Sequence, residues 1–405
     1  MKILFVTPFL PSPPRFGGQR RLDGLMRELA RNHEVNVLAF NRTDEWEHSS
    51  LTETRRYCGE VVCFPNLDLT DTREKRTLQL RSLASSHSFE HLLAVRRREF
   101  QRALRDMLQA TQYDVVQFEF MQMAAFRFER SARVRPTFVL DEHNIEYDIL
   151  KRTAGASGAI PRLVYNSLNW RKLAREEHTA WQRFDGVALT SARDEALLRS
   201  ESPRVPTAVI PNGVDLTAFS PATAPTDPDM LLFFGAINYQ PNHDGVVYFI
   251  DHVLPKIRRA NPRVKFCILG PGARQEVHDR KGNGVEVLGM VDDVGPYIEK
   301  AAAIVVPLRV GGGTRLKIVE ALAKGKAIVS TRLGAEGLDV VHERHLLLAD
   351  EPDDFADQVS RVLADAELAR RLGNNGRELV ERQYGWQSIV QRLLDFYGQL
   401  RASRP

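Results

Sequence analysis

The densest run of chemistry-bearing residues in this 405-residue chain is Val310-Gly311-Gly312-Gly313-Thr314-Arg315-Leu316-Lys317-Ile318-Val319-Glu320-Ala321. It follows an apolar run, 303–307, that reads as a strand, and it opens a helical pattern ending at Lys324. Three successive glycines let a backbone come close to a ligand. Thr314 reads as the N-cap. Arg315 and Lys317 then fall in the first turn, where cations oppose the helix macrodipole by about 0.3–1 kcal/mol each. Glycines, free helix amides and two cations together describe an anion site, and a diphosphate satisfies all three. Glu320, three residues after Lys317, shares its helical face and can accept hydrogen bonds from ribose hydroxyls.

Smaller constellations stand at the ends of other apolar runs. Gly17 and Gly18 follow the first run, 2–8, and precede a helical pattern. Asp141-Glu142-His143-Asn144 closes the run 137–140, and Glu119 closes the run that begins at Asp114. Gly235 ends the run 231–235, and Val291 follows the run 285–288. Ligands of open parallel sheets sit at the C-terminal ends of strands, so these positions qualify by location.

The elements that must position them alternate between strand and helix. Apolar runs at 2–8, 34–40, 60–64, 114–120, 137–140, 186–190 and 207–210 have the unbroken hydrophobicity of strands buried on both faces. Helical periodicity lies between them, at 22–29, in one long helix at 89–110 and at 160–183. Residues 211–229 carry four prolines and an Asn-Gly pair, which reads as a linker. Alternation then restarts with strands at 231–235, 265–269, 285–288, 303–307, 327–330 and 345–348. The tail forms an amphipathic helix at 386–401 that is expected to pack back on the first domain. The fold class is therefore α/β: two doubly wound, Rossmann-like domains, 1–210 and 230–385, expected to face each other across a cleft.

With these motifs the chain resembles a family-4 retaining glycosyltransferase of the GT-B fold over nearly its full length. The resemblance rests on 311–338 (GGGTRLKIVEALAKGKAIVSTRLGAEGL), 209–215 (VIPNGVD), 233–255 and 289–307. It implies sugar transfer from a UDP- or GDP-linked donor to a glycan or lipid-linked glycan hydroxyl, in cell-surface polysaccharide synthesis. The acceptor attacks on the leaving-group face, and a diphosphate oxygen takes its proton. Family members often carry two glutamates with seven residues between them; the second matches Glu320, and the first falls at Gly312. Where many members place Arg and Lys on the diphosphate, this chain has Ala236 and Asp244, with Pro241-Asn242 beside them, so Arg315 and Lys317 are expected to take over that charge. Gly311, Gly312, Gly313 and Thr314 would cradle the phosphates, helped by Gly235, Gly17 and Gly18. His143 matches a histidine that contacts the donor sugar, with Glu119 as a weaker companion, and Val291 marks the nucleobase turn. Rival readings are a nucleotide-sugar epimerase on the same plan and a non-catalytic nucleotide-sugar-binding subunit.

No metal and no cofactor is expected. Asp227-Pro228-Asp229 has the spacing of metal-dependent sugar transferases, but it precedes a strand rather than following one. Cys58, Cys63 and Cys267 complete no zinc set and no disulfide scaffold. Net charge is +4, with +5 in residues 1–200 and −1 in the remainder. That is too mild for a dedicated nucleic-acid binder. No apolar run is long enough to span a bilayer, and the proline-broken N-terminus reads as a buried first strand rather than a signal peptide, so a cytoplasmic location is expected. Residues 71–106 hold nine basic and five acidic side chains. They suggest docking to an anionic membrane surface.

Overall fold

The computed structural model describes residues 1–41, 47–65, 72–129, 135–154, 160–221, 223, 225–311 and 315–403. The chain divides into two compact units, Met1–Pro211 with Ile389–Pro405, and Asn212–Ser388.

The first unit is built on seven parallel strands: β1 (Lys2–Thr7), β2 (Glu34–Asn41), β3 (Val61–Pro65), β4 (Val115–Glu119), β5 (Thr137–Glu142), β6 (Gly186–Leu189) and β7 (Thr207–Val209). Their order is β3-β2-β1-β4-β5-β6-β7. The direction of winding reverses between β1 and β4, which is the switch point where such sheets bind ligands. Ile3–Val6 on β1 and Val115, Val116 and Phe118 on β4 are fully buried, because helices cover both faces. The C-terminal helix, Trp386–Ala402, closes this unit from the far end of the sequence: Phe396 and Leu400 lie against Gly186, where even a Cβ would be 2.7 Å from either side chain.

The second unit holds six parallel strands: β8 (Asp227–Phe234), β9 (Lys265–Leu269), β10 (Val285–Gly289), β11 (Ala301–Val306), β12 (Ile328–Ser330) and β13 (Leu347–Leu348). Their order, β10-β9-β8-β11-β12-β13, puts the switch point between β8 and β11. Its core is one continuous cluster running from Val214 to Tyr384.

Four local expectations are corrected. The 89–110 stretch is two helices, Phe89–Val95 and Arg98–Ala110, broken at Arg96-Arg97. The break falls where no apolar side chain is available to bury. It lets Phe100 stack on Phe40 at 4.3 Å. The 211–229 stretch is tied down rather than free: Val214 is buried and pairs with Gly385, and the Phe219 carbonyl accepts from Arg377 at 2.7 Å. Asp227-Pro228-Asp229 lies inside β8, at its N-terminal end, and Asp229 is committed to Asn261 and Arg263. The helix after β11 is Leu316–Ala323, with Arg315 and not Thr314 at the N-cap and no side-chain cap bond. Helices Glu47–Arg55, Thr72–Ala84 and Ala192–Glu201 carry too little apolar periodicity to be read from sequence.

Candidate active site

In the second unit the C-terminal strand ends around the switch point are stripped of side chains. Gly235 follows β8, Gly270 follows β9, Gly289 ends β10 and Gly311 follows β11; all four have φ between +75° and +141°. Only glycine takes such values without strain. A Cβ on Gly270 would stand 1.9 Å from the Gly235 carbonyl oxygen, so two backbones press together there. The result is a shelf of closely packed peptide groups, with Asn242 and Lys317 over Gly235, Pro241 over Gly311 and open space over Gly289.

Lys317 reaches this shelf from the second residue of its helix. Its ammonium lies 3.9 Å from the centroid of the Phe233 ring and donates to Asn242 Oδ1 at 2.8 Å. Asn242 is itself fixed, since its Nδ2 donates to the Ala236 carbonyl at 2.8 Å. Burial lowers the Lys317 pKa well below the usual lysine range, the neighbouring Arg315 charge lowers it further, and Glu320 opposes both. Arg315 is buried, and one of its terminal nitrogens is 3.8 Å from where a Cβ of Gly311 would be. Glu320 is buried one turn on from Lys317. Two crowded cations beside a bare peptide shelf form a strong attractor for a multiply charged anion. Asp244 is turned away to a bidentate pair with Arg309 at 2.7 and 3.1 Å. Gly312, Gly313 and Thr314 lie outside the described residues. Val291 sits two residues beyond Gly289, on the turn after β10, beside the exposed Met290.

In the first unit the switch point gathers Gly18, Glu119 and His143. His143 Nε2 lies 2.8 Å from Glu119 Oε2, and both residues are buried. Phe120 stacks on the His143 ring at 3.6 Å. It does so from φ +67°, a backbone setting that is strained for a side chain of this size. Gly17 is exposed at the head of its helix, and Gly18 leaves room for the Phe120 and Phe9 ring tips, which would be 2.9 and 3.0 Å from a Cβ. Burial pushes Glu119 up to about 7, while Arg21 and the Gln117 amide pull it back. Burial pushes His143 down to about 3, against Asp141 and with Arg21. The ring is therefore neutral at neutral pH.

The sequence reading missed the frame around this pair. Arg21, fully buried, makes a bidentate bond to Asp141 at 2.8–3.1 Å and donates to the Pro211 carbonyl at 2.9 Å. No spacing rule could have found these contacts, because the partners lie 120 and 190 residues apart.

Among the described residues two groups have donor atoms close enough to suggest a metal: Glu119, Asp141 and His143, and His87, His91 and Glu176. In the first, the Arg21 guanidinium already supplies the counter-charge. In the second, the two imidazoles stack in parallel at 4.2 Å, so their lone pairs do not converge on one point.

Comparison with known proteins places this geometry. Residues 17–218 match the family model "Glycosyltransferase Family 4", and residues 228–365 match "Glycosyl transferases group 1". Sucrose-phosphate synthase from Thermosynechococcus elongatus superposes with a TM-score of 0.72 at 19% identity, covering 100% of both chains. Anabaena HepE, solved with UDP and glucose, superposes with a TM-score of 0.66 at 16% identity, covering 98% of this chain and 99% of that one. A protein of the cps region of Klebsiella pneumoniae is 22% identical over 97% of this chain and 98% of its own length. A glycosyltransferase of Methanocaldococcus jannaschii is 30% identical over 29% of this chain, and the match spans 34% of that protein. Two doubly wound parallel sheets with chemistry at each switch point define the GT-B class of sugar transferases. The chain belongs to family 4 of these glycosyltransferases, and it is an enzyme of that type.

Proposed function

We propose that the chain is a retaining glycosyltransferase that takes a UDP- or GDP-linked sugar and glycosylates a glycan or lipid-linked glycan in cell-surface polysaccharide synthesis. The observation that carries this reading is the Lys317 side chain, half-buried and crowded by the Arg315 charge, with its Nζ 3.2 Å from where a Cβ of Gly235 would be, at a glycine-lined strand-end shelf. A nucleoside diphosphate relieves that crowding, and no neutral ligand does. The UDP bound to the Anabaena neighbour and the cps-region origin of the Klebsiella relative support the donor and the pathway class.

In this reading Arg315 and Lys317 hold the diphosphate and stabilise the charge that grows on it as the bond to the sugar breaks. Glu320 accepts from the ribose hydroxyls, and His143 contacts the donor sugar. The acceptor oxygen bonds to the anomeric carbon on the face the diphosphate leaves, and its proton passes to the departing phosphate oxygen. Arg315 and Lys317 supply the positive charge in this reading.

A lipid-linked acceptor fits the surface of the first unit. Helix Thr72–Ala84 exposes Arg73, Lys75, Arg76 and Arg81, and beside them Leu80 and Leu83, 68% and 44% exposed. Among the described residues no helix is long and apolar enough to cross a membrane. The mode is peripheral docking at the cytoplasmic face.

The test is a panel of UDP- and GDP-sugars with glycan acceptors, the product anomer read by NMR. Retention of configuration with wild-type chain, and loss of transfer in folded Lys317→Ala and Glu320→Ala, is the expected result. Near-wild-type turnover in both variants overturns it. So does conversion of the donor to an epimer without acceptor, or binding without transfer.

A further inference from the structure

The first unit contains a chain of buried polar groups that starts on the C-terminal helix and ends on His143. The Tyr397 hydroxyl donates to Gln117 Oε1. This fixes the amide, so that Gln117 Nε2 donates to Glu119 Oε1 at 2.6 Å and faces Asp141 Oδ2 at 3.4 Å. The other oxygen of Glu119 meets His143 Nε2 at 2.8 Å. Tyr397, Gln117, Glu119 and Asp141 are all fully buried. The Phe120 ring lies over the imidazole, and Thr190 Oγ1 donates to the His143 carbonyl at 2.9 Å, so the ring and its backbone are held from two further sides.

We propose that Tyr397 and Gln117 are positioning residues, which hold the Glu119 carboxyl against His143 and thereby set whether the other ring nitrogen, Nδ1, presents a proton or a lone pair to the substrate. The proposal rests on the reading of His143 as a substrate-contacting residue. Its logic is that of a fixed tautomer. An ionised Glu119 accepts the Nε2 proton and leaves Nδ1 bare, able to accept from a sugar hydroxyl. A protonated Glu119 donates to Nε2 and leaves the proton on Nδ1, able only to donate. The charged and titratable groups facing this carboxyl are Arg21 from the helix Gly17–Ala30, Asp141 and His143 from β5 and its end, and Tyr397 from the C-terminal helix. Beside them the neutral Gln117 amide is the adjustable neighbour. It stabilises the carboxylate form, and Tyr397 holds it in place.

The connection is unexpected from the sequence, since Tyr397 and Gln117 are 280 residues apart. It gives the C-terminal helix a role in the chemistry as well as in packing. Truncating that helix would release the amide of Gln117 along with the apolar contacts of Phe396 and Leu400.

The experiment uses the full chain and compares Tyr397→Phe, Gln117→Met, Glu119→Gln, His143→Ala and the double variant Tyr397→Phe/Glu119→Gln. Tyr397→Phe removes one hydroxyl and should lower kcat/KM roughly fivefold, the scale of one hydrogen bond. Its pH–rate profile should shift to the alkaline side, because a loosened Gln117 stabilises the carboxylate less. Gln117→Met should shift the profile further in the same direction. The double variant should be no slower than Glu119→Gln, since Tyr397 acts through that carboxyl. An unshifted profile in both Tyr397→Phe and Gln117→Met, or additive losses in the double variant, overturns the proposal. An impaired His143→Ala with an unshifted Tyr397→Phe overturns only the positioning role. A His143→Ala with wild-type kinetics overturns the reading beneath it.

Discussion

Lys317 donates to the side-chain oxygen of Asn242 at 2.8 Å, and Asn242 in turn is locked by its own donation to the Ala236 carbonyl. This pair explains why the segment after β8 can dispense with basic residues. Pro241-Asn242 does not bring charge to the shelf; it aims a charge that comes from another helix. The carboxamide is neutral, so the positive potential at the shelf is left intact for an anion.

The first prediction follows from the sign of the Lys317 shift. Its pKa is lowered in the folded chain, so the unfolded chain binds the extra proton and stability rises with pH until the ordinary lysine range is passed. Lys317→Met removes that penalty. In thermal unfolding near neutral pH the ligand-free variant should match or exceed the wild-type midpoint. Its affinity for UDP or GDP should fall roughly 10–100-fold, the scale of a lost charge-assisted hydrogen bond. Asn242→Asp should also fold and bind weakly, because the new carboxylate neutralises the ammonium. A Lys317→Met chain that loses stability and keeps affinity would contradict the assignment of this lysine to an anion.

Much of this was legible in the sequence because it is local. The alternation of apolar runs with helical periodicity specified two parallel sheets. The Gly-rich turn before Arg315 and Lys317 specified where charge meets backbone. Glu119 and His143 stand at strand ends, which the runs themselves marked, and Gly17 and Gly18 open the helix that follows β1. The remainder was not legible because it depends on which strand ends are neighbours. Nothing near Gly270 announces that Gly235 will press against it, and nothing near Asp141 announces Arg21. Helix Thr72–Ala84 escaped because it buries only Leu78 and Ser82, so it has almost no apolar stripe to read.

Close backbone approach gives a second prediction, in which two glycines behave differently. A Cβ on Gly270 meets a peptide oxygen at 1.9 Å, and its φ of +139° is strained for alanine. Gly270→Ala should destabilise the chain by about 2–4 kcal/mol, visible as a lower denaturation midpoint. A Cβ on Gly18 meets only ring tips at 2.9 and 3.0 Å, which can rotate aside. Gly18→Ala should keep its midpoint and lose turnover, because the displaced Phe120 ring is the one that stacks on His143. Equal stability losses in both variants would show that Gly18 serves packing alone.

The Glu119–His143 pair has a pH signature in stability. Glu119, raised to about 7, keeps a proton between about 4.5 and 7 that the unfolded chain has released, so it makes stability fall with rising pH there. His143, lowered to about 3, lacks a proton between about 3 and 6.5 that the unfolded chain holds, so it makes stability rise. The two slopes oppose each other over the shared window. Glu119→Gln removes the falling slope only. Denaturant titrations at pH 5 and pH 7.5 should show the variant gaining on wild type at the higher pH, by up to roughly 1.4 kcal/mol per unit of the Glu119 shift. A constant difference between the two pH values would mean that Glu119 is ionised throughout.

The basic surface of the first unit gives the last prediction. Arg73, Lys75, Arg76 and Arg81 project from a helix that buries little of itself, and Leu80 and Leu83 stand exposed among them. Basic residues near an anionic leaflet contribute about 1 kcal/mol each. The attraction is screened by salt over a Debye length of about 8 Å at physiological ionic strength. Exposed leucines add area that can leave water when the helix meets lipid. The full chain should therefore co-sediment with phosphatidylcholine vesicles containing phosphatidylglycerol more than with phosphatidylcholine alone, and raised salt should weaken the difference. Reversing charge with Arg73→Glu, Lys75→Glu and Arg76→Glu together should abolish the preference for the anionic vesicles. Leu80→Ser with Leu83→Ser should weaken binding to those vesicles and leave the salt dependence in place, since the two contributions are physically separate. Equal binding to both vesicle types, unchanged by the charge reversal, would rule out an electrostatic docking face on this helix.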